Sequence, residues 1–201
     1  MLPRLGVLIS GRGSNLQAII DAIRDGRLRA EIAIVLSNIA SAHGLGRAAA
    51  AGIETRVLSH RDHLSREAYD AALTEVMRSH RIDLVCLAGF MRLLGPTFID
   101  AFPNRVLNIH PSLLPSFPGL DAQRQALEHG VKVSGATVHF VNAELDAGPI
   151  VMQRAVPVLD DDTADSLAAR ILVEEHRLYP EAIQRVLEGS WRLEGRRFIL
   201  R

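Results

Sequence analysis

Lysine is nearly missing from this chain: of 23 basic residues only Lys132 is a lysine, the rest being arginine. A Schiff-base or lysine-general-base mechanism therefore has almost no candidates. Cysteine is equally scarce. The single Cys86 lies in the apolar run Ile82-Asp83-Leu84-Val85-Cys86-Leu87-Ala88, which excludes a disulfide framework and a thiolate metal site and fits a buried structural thiol. Net charge is absent too, with 23 basic against 23 acidic residues, so electrostatics offers no reason to expect a nucleic-acid or anionic-membrane partner. No apolar stretch reaches the length of a membrane span. Met1-Leu2-Pro3-Arg4-Leu5 leads straight into a strand pattern without the marks of a signal peptide. The expectation is a cytoplasmic protein, monomer or homodimer, that works on small molecules. No His-Glu-x-x-His or cysteine pair points to a metal, and no serine sits in a Gly-x-Ser-x-Gly elbow.

What is present is an alternation of strand and helix patterns. At 201 residues and 48 % hydrophobic, the chain can bury one sizeable core and needs no second domain. Leu5 to Ser10 reads as a buried strand. Gly11-Arg12-Gly13-Ser14-Asn15 turns into a helix with Leu16, Ile19, Ile20 and Ile23 on one side. Strands follow at Glu31–Leu36, Glu54–Leu58, Asp83–Ala88 and up to Leu107, with helices at His43–Ala51 and from Ser65 to about His80. Beyond a proline-rich loop, Pro111 to Leu120, a helix is expected near Ala122–His129. Strands at Ser134–Val141 and Ile150–Val158 are joined closely enough for antiparallel pairing at the sheet edge, and Asp160 to Asp162 with Thr163 start a long helix that runs to about Glu188, with Gly189 as its stop. The class is α/β: a Rossmann-like, mostly parallel twisted sheet with helices on both faces and an antiparallel C-terminal edge. A single domain over residues 1–201 is expected, in which the N-terminal stretch to His110 carries the anion-binding loop and the stretch from Pro111 to Arg201 completes the site.

In such folds the ligand crevice lies beyond the carboxyl ends of the strands. Three loops there draw attention. In Asn108-Ile109-His110-Pro111, side chains two apart share a strand face, so an amide and an imidazole point the same way, suited to polarising a carbonyl and moving a proton. A satisfied polar strand end fits equally. Gly13, Ser14 and Asn15 at a helix start suit an anion, most simply a phosphate, although an ordinary turn with a serine cap has the same pattern. Leu16 replaces the third glycine of the dinucleotide fingerprint, and the P-loop Gly-Lys-Ser/Thr is missing. Asp146, in Leu145-Asp146-Ala147-Gly148-Pro149, is either a turn residue or the partner of His110. His139 reads as a core or supporting histidine. Phe90, Met91, Leu93, Leu94 and Phe98 form either a wall for a flat ring or plain core.

Together the motifs Gly11–Asn15, Ser65-Arg66-Glu67-Ala68-Tyr69-Asp70, Leu87-Ala88-Gly89-Phe90-Met91-Arg92, Asn108 to Pro115 and Gly135 to Gly148 resemble the phosphoribosylglycinamide formyltransferases over nearly the whole chain. The resemblance implies transfer of a formyl group from N10 of 10-formyltetrahydrofolate to the glycyl amine of 5-phosphoribosylglycinamide. It implies that Asn108, His110 and Asp146 are catalytic and that Gly13, Ser14 and Asn15 hold the substrate phosphate. Pro111 and Glu175 then contact the nucleotide. Arg66 and Arg92 lie near the folate glutamate tail, and Met91, Leu93, Leu94 and Val141 line the pterin pocket. Neither a metal nor a covalent enzyme intermediate is needed. Two positions depart from the family pattern: Asp121-Ala122-Gln123 stands where a Thr-His pair is common, and Ala147 replaces a glycine or glutamate. The rival expectations are a formyltetrahydrofolate hydrolase, a formyltransferase acting on another amine such as an initiator tRNA or amino sugar, and a non-enzymatic folate or nucleotide binder. The hydrolase and the tRNA enzyme are expected to carry additional domains, and the binder has no need of Asn108, His110 and Asp146 together.

Overall fold

A computed structural model describes all 201 residues and divides them into two compact units, Met1–Asn108 and Ile109–Arg201. In the first unit, strands β1 (Arg4–Ile9), β2 (Glu31–Ser37), β3 (Thr55–Val57), β4 (Leu84–Leu87) and β5 (Val106–His110, its last two residues passing the division) pair only in parallel, in the order β3-β2-β1-β4-β5. Strand β1 shows why. Leu5, Val7, Leu8 and Ile9 are all fully buried, the continuous apolar run expected of a strand covered on both faces. Between them Gly6 leaves room for the Met77 sulfur, which fills the space a Cβ would need. The connecting helices are α1 (Ser14–Arg24), α2 (His43–Ala50), α3 (Arg66–Ser79) and the single turn α4 (Pro96–Ile99). Helix α1 buries Leu16, Ile19 and Ala22, while Ile20 and Ile23 of the expected apolar face are only half-buried and line an open groove of about 1000 Å³. Ser65 caps α3, its hydroxyl accepting from the Ala68 N–H at 3.1 Å.

The second unit contains α5 (Ala122–Glu128), β6 (Val133–Phe140), β7 (Ile150–Pro157), α6 (Ala164–Leu187), β8 (Trp191–Glu194) and β9 (Arg197–Leu200). Strands β6 and β7 are antiparallel neighbours, as their short connection requires. They are not the sheet edge, however, and this corrects the sequence reading. Strand β9 adds beside β7 and β8 beside β9, giving the order β6-β7-β9-β8. The hairpin signal lies in Trp191 to Leu200: alternating apolar residues around Glu194-Gly195-Arg196, with Gly195 at φ +59°. Trp191 and Phe198 pack on each other and on Phe140, which gives the short strands an apolar face to cover. Helix α6 starts at a capping box in which Thr163 and Ser166 bond each other's backbone, and it stops just before Gly189, at φ +72°. The Leu114–Pro115 peptide is cis. The nine strands form a mostly parallel, mixed α/β fold, the class expected from the sequence.

Two glycines give opposite tests of this packing. Gly46 is exposed inside α2 with open space around it, so Gly46→Ala should raise stability by about 0.5–1 kcal/mol. A Cβ on buried Gly148 would collide with the Phe140 carbonyl oxygen, so Gly148→Ala should cost about 1–3 kcal/mol. Denaturant unfolding of the two variants checks both signs.

Candidate functional site

In the first unit the turn from β1 to α1 is built by a close approach of two backbones. Gly13 adopts φ +69°, and a Cβ there would come within 2.6 Å of the Gly44 Cα at the start of α2. The Gly44 N–H donates to the Gly11 carbonyl at 3.0 Å, and Arg47 Nε donates to the Arg12 carbonyl at 2.9 Å. Gly13 occupies the N-cap of α1 with no side-chain cap, and a helix start carries the positive end of the helix dipole. Ser14 and Asn15 open that helix, Asn15 being 8 % exposed. The three residues expected to hold a phosphate therefore form one helix start. Sequence inspection misses Gly44, whose only local sign is a glycine inside a helix pattern.

The loop after β4 is tied to the same turn. Ser10 N–H donates to the Gly89 carbonyl at 3.0 Å, Met91 N–H donates to Ser10 Oγ at 2.8 Å, and that hydroxyl donates to Asn38 Oδ1 at 2.6 Å. Asn38, at the end of β2 and 6 % exposed, thus fixes the hydroxyl that fixes Met91. Along this loop Met91 and Leu93 are exposed, Arg92 is half-buried, and Leu94 is buried. Arg66 is exposed at the first turn of α3. One turn on, buried Asp70 accepts from the Gly95 N–H at 2.7 Å. Of the residues expected at a folate site in this unit, the loop therefore offers Met91 and Leu93 as exposed apolar surface, with Leu94 buried beside them.

Strand β5 carries Asn108 and His110, two apart and so on one face. In the second unit His110 is 4 % exposed, with its Nδ1 3.4 Å from Asp146 Oδ2 and its Nε2 2.9 Å from the Phe117 carbonyl oxygen. Both ring nitrogens therefore lie beside oxygen acceptors. Asp146 Oδ2 also accepts from the Gly119 N–H at 2.8 Å, and its Oδ1 lies 3.7 Å from His139 Nε2. His139 is 2 % exposed and its Nδ1 lies 3.0 Å from the Phe140 carbonyl; burial holds its pKa below the ordinary histidine value, against the pull of Asp146. The expected pair of His110 and Asp146 is thus in contact, with His139 as its supporting neighbour.

The backbone around this pair is locally strained. Asp146 (φ +49°), Phe117 (φ +55°), Gly119 (φ +80°) and Asp121 (φ +57°) all occupy left-handed conformations. Each non-glycine residue there costs about 1–2 kcal/mol, and such outliers gather where function demands a particular geometry. The hydrogen bonds from Gly119 to Asp146 and between Phe117 and His110 hold the loop in place. Gln125 Nε2 adds bonds to the Leu120 carbonyl at 2.8 Å and the Pro118 carbonyl at 3.2 Å, while Ser112 Oγ donates to the Ser116 carbonyl at 2.6 Å. Asp121, where the family pattern changes, is the N-cap of α5 and pairs with Arg124. Pro111 opens the loop half-buried, Val141 follows β6 half-buried, and Glu175 is 7 % exposed on the inner face of α6. The loop carbonyls and amides that bind His110 and Asp146 have no side-chain signature and are not legible from the sequence.

Comparison with known proteins matches this organisation. The profile of the formyl transferase family covers residues 3–183. Phosphoribosylglycinamide formyltransferase of Escherichia coli K12 is 49 % identical over 190 residues, spanning 94 % of this chain and 87 % of that protein. The trifunctional purine biosynthetic protein adenosine-3 of Drosophila melanogaster is 52 % identical over 189 residues, and there the chain spans 93 % of its own length but only 14 % of the relative's. The crystal structure of glycinamide ribonucleotide transformylase 1 from Symbiobacterium toebii superposes with a TM-score of 0.97 at 57 % identity, covering 99 % of this chain and 94 % of that one. With a profile that spans nine-tenths of its length and a full-length relative at nearly half identity, the chain belongs to the formyl transferase family.

Proposed function

We propose that this protein transfers the formyl group of 10-formyltetrahydrofolate to the amine of 5-phosphoribosylglycinamide, a step of purine biosynthesis. The observation that carries the mechanism is the buried contact of Asp146 with His110, 36 positions apart in sequence, at 3.4 Å. Relatives named for this activity in Escherichia coli and Haemophilus influenzae, 49 % and 42 % identical, support the choice of substrates. In this reading Gly13, Ser14 and Asn15 receive the phosphate at the start of α1. Pro111 and Glu175 contact the nucleotide. Arg66 and Arg92 lie by the folate tail, and Met91, Leu93, Leu94 and Val141 by the pterin. The whole chain acts as one formyltransferase domain.

The chemistry follows from the residue types. The neutral amine attacks the formyl carbon, the carbonyl π bond becomes an oxyanion, and a tetrahedral species forms. The Asn108 amide and an N–H of His110 donate to that oxygen, stabilising charge that exists only at this stage. The nitrogen that attacked must lose a proton and N10 must gain one before the C–N10 bond breaks. Asp146 orients a water that carries it, and the carboxylate holds the His110 imidazole in place meanwhile. Because the Phe117 carbonyl already lies at His110 Nε2, donation to the oxyanion requires that contact to be shared or exchanged. Water in place of the amine would make the same site a formyl-folate hydrolase.

Following folate absorbance with and without phosphoribosylglycinamide separates these outcomes: consumption only with the acceptor is expected, acceptor-independent consumption means hydrolysis, and none at all means a binding protein. Asp146→Asn keeps an oxygen for the Gly119 N–H but removes the charge beside His110. Its kcat should fall by about 10²–10³, and near-normal turnover would overturn the assignment. Gly13→Ala, placing a Cβ against Gly44, should raise KM for phosphoribosylglycinamide and leave KM for the folate unchanged in steady-state assays.

A further inference from the structure

Asp70 is the one carboxylate on α3 that is almost wholly buried, 1 % exposed, and nothing in the mechanism uses it. One of its oxygens, Oδ2, accepts from the Gly95 N–H at 2.7 Å. The same oxygen closes the space over Gly95: a Cβ there would stand 2.7 Å from Asp70 Oδ2 and 3.4 Å from Arg66 Nε. Gly95 in turn is the N-cap of α4, and its carbonyl accepts from Phe98 and Ile99. A single carboxylate thus anchors the end of the segment that begins at Met91, whose other end is fixed by Ser10. Arg66 lies four residues before Asp70 on the same helix face, and its guanidinium sits against Gly95 beside the carboxylate.

The second oxygen, Oδ1, is buried with no hydrogen-bond partner in the chain, and so is Arg92 Nε. The positive charges of Arg66 and Arg92 draw the Asp70 carboxyl down, but burial outweighs them and the Gly95 bond and leaves it above the ordinary carboxylate value. Folding therefore favours the neutral form, and keeping this group ionised works against stability. A buried charge of this kind is poor evidence for a stabilising role, since a neutral group of the same shape is commonly tolerated as well or better.

We propose that Asp70 is a positioning residue for the formyl-folate: it holds Gly95, and through it the Met91–Leu94 segment, together with the Arg66 and Arg92 guanidiniums, in the arrangement that receives the co-substrate. This rests on the folate assignment made above. Asp70 touches no reacting atom, so its loss should appear in folate affinity and not in the chemical step. An asparagine keeps an acceptor for Gly95 but removes the counter-charge of the two arginines. An alanine at Gly95 keeps the charge but forces Asp70 and Arg66 aside.

The test measures kcat, both KM values and thermal midpoints for the wild type, Asp70→Asn and Gly95→Ala. The expected result is a KM for 10-formyltetrahydrofolate raised by about fivefold or more in each variant, with kcat and KM for phosphoribosylglycinamide within about twofold and the midpoint of Asp70→Asn no lower than wild type. An unchanged folate KM in an active Asp70→Asn enzyme overturns the positioning role and leaves the formyltransferase reading intact. So does a parallel loss of kcat, both affinities and thermal stability, which would make Asp70 a general structural group. If the wild type consumes no formyl folate, both this role and the reading beneath it fall.

Discussion

The carboxylate of Asp146 is the point on which the second unit depends. Within its reach are the buried imidazole of His110, the amide of Gly119 and the second buried imidazole, His139. A buried carboxylate is costly unless it is matched by donors. Here those donors come from a strand end, a loop glycine and β6, so satisfying the charge also fixes the loop over His110. The left-handed backbone at Phe117 and Asp146 is the conformational cost of that convergence. Removing the whole carboxylate would take the partner from the loop amide and from the imidazole together.

In the first unit the organising feature is the backbone contact at the start of α1. No side chain caps α1, and Gly13 and Gly44 touch through their backbones. At such a helix start the dipole favours negative charge. Ser10 and Asn38 tie this turn to the loop after β4, and Asp70 ties the far end of that loop to α3. In the proposed reading the first unit contributes backbone donors and guanidiniums for anionic groups, and the second contributes the groups that move protons.

Much of this is readable in the amino-acid sequence. The continuous apolar strands, the serine that opens α3 and the glycine that stops α6 place most elements within a few residues, because each signal is local. The pairing of His110 with Asp146 is expected as a chemical need and found as a contact. Other features lie outside local pattern. The terminal hairpin Trp191–Leu200 escapes a sequence reading although its alternation and Gly195 turn are present, because short strands gain their stability from packing, here on Phe140. Asp70 looks like an ordinary helix-surface residue, since its burial depends on Gly95, 25 positions away. The carbonyl of Phe117 and the amide of Gly119 belong to the backbone and leave no mark in a residue code.

The central claim is that His110 and Asp146 act as one catalytic unit. A double-mutant cycle on kcat/KM with His110→Gln, Asp146→Asn and the combined variant tests it directly. Residues that work through one another are strongly non-additive, so the double variant should lose no more than about threefold beyond the worse of the two single variants. Losses that multiply would show two independent contributions and contradict the account.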